Sequence, residues 1–162
     1  RKPVIAKVRG PAIAGGCGLV TVCDFSFAAE ESARFAYSEV HIGFLPAIVL
    51  VFLIKRIGEG RARELVLSGR SIGAKEAERI GLVTKCVPEN SLDSAVDSLA
   101  QEIADKNSPQ SMALCKEMFT KLDGLNFVDA LEYAANMNAL TRMTDDFKKG
   151  LQAFLKKERI SW

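Results

Sequence analysis

Two short segments of the chain carry residue types that could do chemistry, and the first is a glycine-rich turn. Gly15 and Gly16 lie between a β-branched run and an apolar stretch that predicts a helix beginning near Cys17. Exposed amides at a helix N-terminus, aided by the helix dipole, can bind an anion or stabilise a developing oxyanion. Glycine pairs also serve tight turns and close packing, and this turn lacks the spacing of dinucleotide- and phosphate-binding loops. Alone, the turn is compatible with either role.

The second segment is residues 37–43, where Glu39 stands between an aromatic pair and an apolar run that starts at Phe44. A carboxylate in apolar surroundings can exchange protons near neutral pH, which makes Glu39 a candidate acid/base. A solvated loop position is the commoner fate of a glutamate. His41 is two residues away, and an extended backbone would place both side chains on one side. Because no nucleophile can be tied to this pair, a structural histidine is expected.

The cysteine pattern argues against a metal site. The four cysteines form no CxxC pair, and His41 is the only histidine of the chain. Zinc sites and disulfide frameworks need closer or paired ligands, so neither is predicted. We expect buried, reduced thiols and a cytoplasmic type of compartment.

Composition limits the remaining classes of function. The chain has 162 residues, 48% of them hydrophobic, which is enough for one globular core. Its net charge of +2 comes from interspersed residues, so no nucleic-acid partner is expected. The longest apolar run, residues 46–54, is shorter than the roughly 20 residues of a membrane span and predicts a buried helix. The chain enters a strand almost at once, so we expect a segment to precede it.

The pattern along the chain predicts an α/β part followed by a helical part. Residues 4–8, 24–28, 35–37 and 84–87 predict strands, and residues 46–57, 59–67 and 74–80 predict helices. This alternation is typical of β-α-β packing with a mainly parallel sheet. Beyond residue 88 the pattern is helical only, with helix starts predicted at Ser108, Asn126 and Thr144. The predicted units are therefore residues 1–88 and 89–162.

The order of the motifs resembles the enoyl-CoA hydratase/isomerase (crotonase) family over nearly the whole chain. The matching segments are residues 2–10, the glycine-rich turn, and residues 23–24, 35–43, 65–69, 74–83 and 153–157. The resemblance implies the C-terminal portion of a crotonase-like spiral of ββα units, followed by a helical trimerisation region. It also implies an acyl-CoA substrate, no metal or redox cofactor, a homotrimer or hexamer, and a cytoplasmic or, in a eukaryote, mitochondrial location.

The same resemblance assigns roles to individual residues. The family's second oxyanion-hole amide falls on Gly15, with Gly16 beside the substrate, and its acid/base glutamate falls on Glu39. In the last helix, Phe154 and Lys157 would contact the CoA nucleotide. Lysines on the outer face of an amphipathic helix are equally typical of solvated side chains.

Two departures from the family pattern shape the expected function. Gly18 occupies the place where two-glutamate hydratases carry their other carboxylate, and residues 43–52 resemble the methylglutaconyl-CoA hydratase branch. The leading hypothesis is a hydratase of short or branched enoyl-CoA thioesters, acting in fatty-acid or branched-chain amino acid degradation. The alternatives are a Δ3,Δ2-enoyl-CoA isomerase and a non-catalytic paralogue that acts as a binding or interaction module. The family domain has about a hundred further residues upstream, within the span of one larger domain, so this segment alone is expected to be inactive.

Overall fold

The computed structural model describes residues 1–162. The first part of the chain contains six short strands. They form two three-stranded sheets, ordered β1-β3-β6 and β2-β4-β5. All strand pairs are parallel except β4 with β5, which confirms the prediction of a mainly parallel arrangement. The strands are β1 (Ile5–Val8), β2 (Pro11–Ile13), β3 (Phe25–Ala29), β4 (Arg34–Ala36), β5 (Ile72–Gly73) and β6 (Lys85–Val87).

Eight α-helices accompany the strands. They are α1 (Gly15–Val22), α2 (Ala47–Ile57), α3 (Glu59–Ser68), α4 (Ala74–Arg79), α5 (Leu92–Lys106), α6 (Pro109–Lys121), α7 (Phe127–Thr141) and α8 (Asp145–Lys156). The chain divides into a core unit, Val4–Ser98, and a helical unit, Arg1–Pro3 with Leu99–Trp162. The boundary predicted near residue 88 stays a prediction, and it directly follows β6.

Strand and helix residues of the core unit bury a continuous apolar cluster. Its largest fully buried side chains include Tyr37, Phe35, Leu53 and Leu82. Burying a large side chain contributes about 1.5–3 kcal/mol, so this cluster is the main source of stability of the core unit. The expectation that the cysteines are buried is only partly right. All four are free thiols, but Cys17 alone is fully buried and Cys115 is exposed.

Helix α2 is less buried than its sequence predicts. Leu53 and Ile57 are its only buried residues, whereas Ile48 is 76% and Val51 is 54% exposed. The prediction of a buried helix was therefore wrong for most of its surface. The run is apolar on all sides, so its sequence gives no periodicity that distinguishes the packed face from the open one. No helix of the chain is both long enough and apolar enough to cross a membrane.

Three side-chain caps start the helices of the helical unit where the sequence predicts them. Ser108 accepts a hydrogen bond from the Ser111 amide, Asn126 from the Asp129 amide, and Thr144 from the Phe147 amide. Each cap satisfies a first-turn amide that has no partner within its helix. The helical C-terminal region expected from the sequence is thus present.

An arginine links α3 to α4 in the core unit and gives a pH-dependent prediction. Arg70 Nη2 lies 2.6 Å from Glu64 Oε1 and 2.8 Å from Glu76 Oε1. The Arg70 hydrogen bond holds the pKa of the Glu76 carboxyl below its ordinary value of 4.5. A carboxyl whose pKa is depressed in the folded state stabilises the fold at pH values above its ordinary pKa. This stabilisation is lost as the pH falls through the depressed pKa.

Arg70→Met is therefore expected to lower the melting temperature at pH 7 and to lower it less at pH 3. Thermal unfolding followed by circular dichroism at the two pH values measures the difference. Arg142→Met, which removes an exposed arginine of the helical unit, is the control. An equal loss at both pH values would contradict the assigned ion pair.

Candidate active site

Two neighbouring parallel strands bring the glycine turn and the Glu39 segment to the same edge of one sheet. In β2 and β4, Ile13 stands beside Ala36, and the Ala14 amide extends the ladder by donating to the Ala36 carbonyl at 2.8 Å. Parallel strands end on the same side of their sheet, so the chain leaves β2 into Gly15 and leaves β4 towards Glu39 at one edge. The candidate site is built on this edge.

The turn from β2 into α1 is strained. Ala14 has φ 52° and ψ −119°, a region that a residue with a Cβ rarely adopts. Such a conformation costs about 1–3 kcal/mol and persists only where the surroundings impose it. No side chain caps the helix that follows, and Gly15 and Gly16 are exposed. Their amides belong to the first turn, where no partner within the helix is available.

Packing within the chain does not explain the glycines at 15 and 16. Neither has a positive φ, and a Cβ added at either position would meet no atom within 4 Å. A glycine inside a helix is about 0.5–1 kcal/mol less favourable than alanine. A ligand that approaches the backbone closely would explain why glycine occupies these positions despite that cost.

If the complete protein turns over the acyl-CoA substrate that the resemblance implies, Gly15→Ala is expected to lower that turnover about tenfold or more, because a methyl group would displace the substrate by about 1 Å. Thermal stability should stay the same or rise. Melting temperature and kcat/KM are measured on the same samples. Gly60→Ala is the matched control, because position 60 is also helical, exposed and open around an added Cβ. Unchanged turnover in Gly15→Ala would contradict a close approach of the substrate.

Glu39 is the buried carboxylate of the site. It begins a 3₁₀ turn, Glu39–Ile42, three residues beyond β4, and its carbonyl accepts a hydrogen bond from the Phe44 amide at 3.0 Å. The residue is 8% exposed, and its Oε2 atom has no hydrogen-bond partner. Buried polar groups are nearly always paired, because an unpaired one costs free energy. An unpaired carboxylate oxygen in such a place is available for a proton or for a substrate.

His41 faces a different part of the core unit. An extended backbone would have placed Glu39 and His41 on one side, but the segment forms a 3₁₀ turn. His41 is exposed, and its Nε2 lies 3.2 Å from the Ser68 carbonyl at the end of α3. Gly69 leaves room for the ring, since a Cβ there would lie 2.5 Å from Nε2. These contacts fit the structural role expected for His41.

Two buried hydroxyl side chains beside the site, those of Thr21 and Tyr37, were not singled out in the sequence, whereas Cys17 was expected to be buried. Thr21 Oγ1 lies 2.9 Å from the Cys17 carbonyl and 2.7 Å from the Tyr37 hydroxyl. Burial raises the pKa of the Cys17 thiol to about 11 and also raises the pKa of Tyr37, with the Glu39 carboxylate adding to both shifts. Both groups are thus neutral at physiological pH. The sequence signal for this pair was a tyrosine in an apolar segment, because the hydroxyl of a buried tyrosine normally needs a hydrogen-bond partner.

The structure leaves no room for a side chain at Gly18, the position that the resemblance aligns with the second carboxylate of two-glutamate hydratases. Gly18 is buried in α1, and a Cβ added there would lie 2.1 Å from Val49 Cγ1 and 2.8 Å from Val49 Cβ. Atoms at such distances overlap, so α2 can approach α1 only because residue 18 has no side chain. Of the two positions at which the two-glutamate pattern has a carboxylate, 18 and 39, only position 39 carries one in this chain.

The remaining predicted residues lie in the helical unit. Phe154 is 79% exposed near the end of α8, and Lys157 follows that helix with φ 57°, its amide donating to the Phe154 carbonyl at 3.1 Å. The core unit thus holds Gly15, Gly16 and Glu39, and the helical unit holds the other two. A role of Phe154 and Lys157 towards CoA stays a prediction.

Known proteins match both this fold and the sequence. A sequence profile described as enoyl-CoA hydratase/isomerase matches residues 1–162. A Thermus thermophilus protein provisionally named an enoyl-CoA hydratase is 43% identical over 156 residues, covering 96% of this chain and 61% of its own. The mitochondrial enoyl-CoA hydratase of Pongo abelii is 34% identical over 163 residues, covering 100% of this chain and 56% of its own.

Solved structures agree with these matches. The enoyl-CoA hydratase of Mycobacterium smegmatis superposes with a TM-score of 0.92 at 31% identity, over 99% of this chain and 62% of that one. Human enoyl Coenzyme A hydratase domain-containing protein 3 gives a TM-score of 0.90 at 32% identity, over the same shares of 99% and 62%.

The chain therefore belongs to the enoyl-CoA hydratase/isomerase family and has the crotonase fold. It spans 61% and 56% of the lengths of the two relatives above. The family expected from the motif order is confirmed by the profile and by these structures.

Proposed function

We propose that the complete protein is a hydratase that adds water across the 2,3 double bond of an enoyl-CoA thioester. The observation that carries the proposal is the buried Glu39 carboxylate with an unpaired Oε2, set at the same sheet edge as the open Gly15 amide. One group can move a proton and the other can stabilise negative charge, and hydration of a conjugated thioester needs both. The names of the relatives support the same reaction.

The proposed reaction uses these groups in one sequence. The Gly15 amide donates a hydrogen bond to the thioester oxygen, so electron density can move onto that oxygen as an enolate forms. Glu39 accepts a proton from a water molecule while the water oxygen bonds to C3 of the acyl chain. The protonated Glu39 then delivers its proton to C2, and the product is a 3-hydroxyacyl thioester. Glu39 ends the cycle ionised, and no metal or redox cofactor is expected to take part.

An isomerase is the second candidate, because the structure leaves no room for a second carboxylate at Gly18. A lone acid/base suits the transfer of one proton between C4 and C2 of a 3-enoyl thioester. Two ultraviolet assays on the complete protein separate the candidates. Hydration removes the absorbance of the conjugated 2-enoyl thioester, whereas isomerisation creates it from a 3-enoyl thioester.

We expect loss of absorbance with the 2-enoyl substrate. If absorbance rises with the 3-enoyl substrate and does not fall with the 2-enoyl substrate, the protein is an isomerase and not a hydratase. Turnover of neither substrate would contradict both and would favour a non-catalytic paralogue that acts as an interaction module.

The acyl group is proposed to be short or branched, with methylglutaconyl-CoA as one candidate in branched-chain amino acid degradation. The support is the resemblance of residues 43–52 to that branch. Comparing kcat/KM for crotonyl-CoA and methylglutaconyl-CoA tests it, and a clear preference for crotonyl-CoA would contradict it. We further propose a homotrimer or hexamer in the cytoplasm or the mitochondrial matrix, Phe154 and Lys157 as CoA contacts, and no activity of residues 1–162 alone.

A further inference from the structure

A buried chain of hydrogen bonds joins the two elements that carry the candidate site. Thr21 lies on α1, one helical turn beyond Cys17, and Tyr37 directly follows β4. The Tyr37 side chain is fully buried and Thr21 is 5% exposed. The hydroxyl oxygens of the two residues lie 2.7 Å apart, which is within the usual range for such a bond.

The directions of these bonds follow from the number of hydrogens. Thr21 has one hydroxyl hydrogen, and its Oγ1 donates that hydrogen to the Cys17 carbonyl at 2.9 Å. When Thr21 gives its hydrogen to the Cys17 carbonyl, its oxygen accepts the hydrogen of the Tyr37 hydroxyl, and this arrangement makes both bonds at once.

These bonds connect residues next to both reacting groups. Cys17 lies two residues after Gly15 in the first turn of α1, and Tyr37 lies two residues before Glu39. The connection therefore spans the sheet edge a second time, in addition to the bond between the Ala14 amide and the Ala36 carbonyl. In a buried setting such bonds are strong and fix one geometry, since leaving either hydroxyl unpaired is costly.

We propose that Tyr37 and Thr21 are positioning residues that hold the Gly15 amide and the Glu39 carboxylate in register for the reaction. The inference rests on the proposed function. Removal of the Tyr37 hydroxyl shifts the two groups relative to each other and leaves the buried ring in place. Displacements of about 1 Å in a reacting geometry can lower rates about 100-fold, so small shifts at this edge have a measurable effect.

The test compares four variants of the complete protein: Tyr37→Phe, Thr21→Val, the double variant and Thr21→Ser. We expect Tyr37→Phe and Thr21→Val to lower kcat about 10- to 100-fold with little change in KM. The double variant should lose little more than the worse single one, because both remove the same bond. Thr21→Ser keeps the hydroxyl and should restore most of kcat.

Two further measurements separate positioning from a merely structural role. Tyr133→Phe is the matched control, since the chain has only two tyrosines and Tyr133 lies on α7 of the helical unit. It should leave kcat unchanged. Hydrogen exchange of the Gly15 to Cys17 amides should be faster in Tyr37→Phe than in the wild type. This readout does not depend on turnover.

The outcomes are distinguishable from failure of the proposed function. If the wild type turns over enoyl-CoA and Tyr37→Phe does so at the same kcat with a lower melting temperature, the network is structural only and the inference is overturned. Unchanged amide exchange in Tyr37→Phe would overturn it as well. If the wild type has no turnover, the proposed function itself fails, and the inference fails with it.

Discussion

Glu39→Gln in the complete protein is expected to lower kcat for enoyl-CoA turnover by about 10² to 10⁴-fold, the range for loss of a general acid/base. Glutamine has nearly the same shape as glutamate, but its amide cannot accept and return a proton. The melting temperature should stay the same or rise, because the substitution removes a buried charge whose Oε2 has no partner. Activity and stability thus change in opposite directions, as is common where a site keeps an unfavourable group.

A matched substitution controls for the loss of charge elsewhere. Glu132→Gln removes an exposed carboxylate of α7 and should change neither kcat nor the melting temperature. Steady-state kinetics and thermal unfolding on the same preparations measure both. If Glu39→Gln lost stability and activity in proportion, Glu39 would be a structural residue.

Gly18→Ala is expected to destabilise the core unit by about 1–3 kcal/mol, the usual cost of overpacking. The added Cβ would lie 2.1 Å from Val49 Cγ1, and a β-branched side chain in a helix has few alternative rotamers. The helices α1 and α2 must therefore separate. Gly18→Glu should be worse still, since it adds a charge at the same buried place.

A double-mutant cycle identifies the cause. Val49→Ala removes Cγ1 but leaves a Cβ at 2.8 Å, so it should rescue Gly18→Ala in part, with a coupling of about 0.5–3 kcal/mol. Gly60→Ala on α3, with open space around the added Cβ, should instead be neutral or stabilising. Additive effects of Gly18→Ala and Val49→Ala in chemical unfolding would rule out the contact as the source of the loss.

Local sequence signals predicted much of the fold because they act over a few residues. Ser108, Asn126 and Thr144 cap their helices as expected, since a cap depends only on a side chain and the amide three residues on. The strands β2 and β5 were not predicted. With three and two residues, they are too short to show a period, and pairing with β4 rather than propensity defines them.

The residues of the candidate site were proposed from the sequence, whereas their contacts could not be. Glu39 and Gly15 followed from motif order, whereas the 3₁₀ turn that separates Glu39 from His41 depends on packing. The closure of Gly18 by Val49 joins residues 31 positions apart, and the bond of Thr21 with Tyr37 joins residues 16 apart. No local pattern encodes such pairs, so only the folded structure shows that Val49 closes position 18 and that Tyr37 bonds to Thr21.

Deuterium transfer tests the acid/base role of Glu39 most directly. The complete protein is incubated with a 2-enoyl-CoA in D₂O, and the 3-hydroxyacyl thioester is analysed by NMR. Because Glu39 takes its proton from the added water, we expect one deuterium at C2 in the wild-type product and a matching loss of product and label in Glu39→Gln. Labelling at C2 by Glu39→Gln at the wild-type rate would contradict the acid/base role of Glu39.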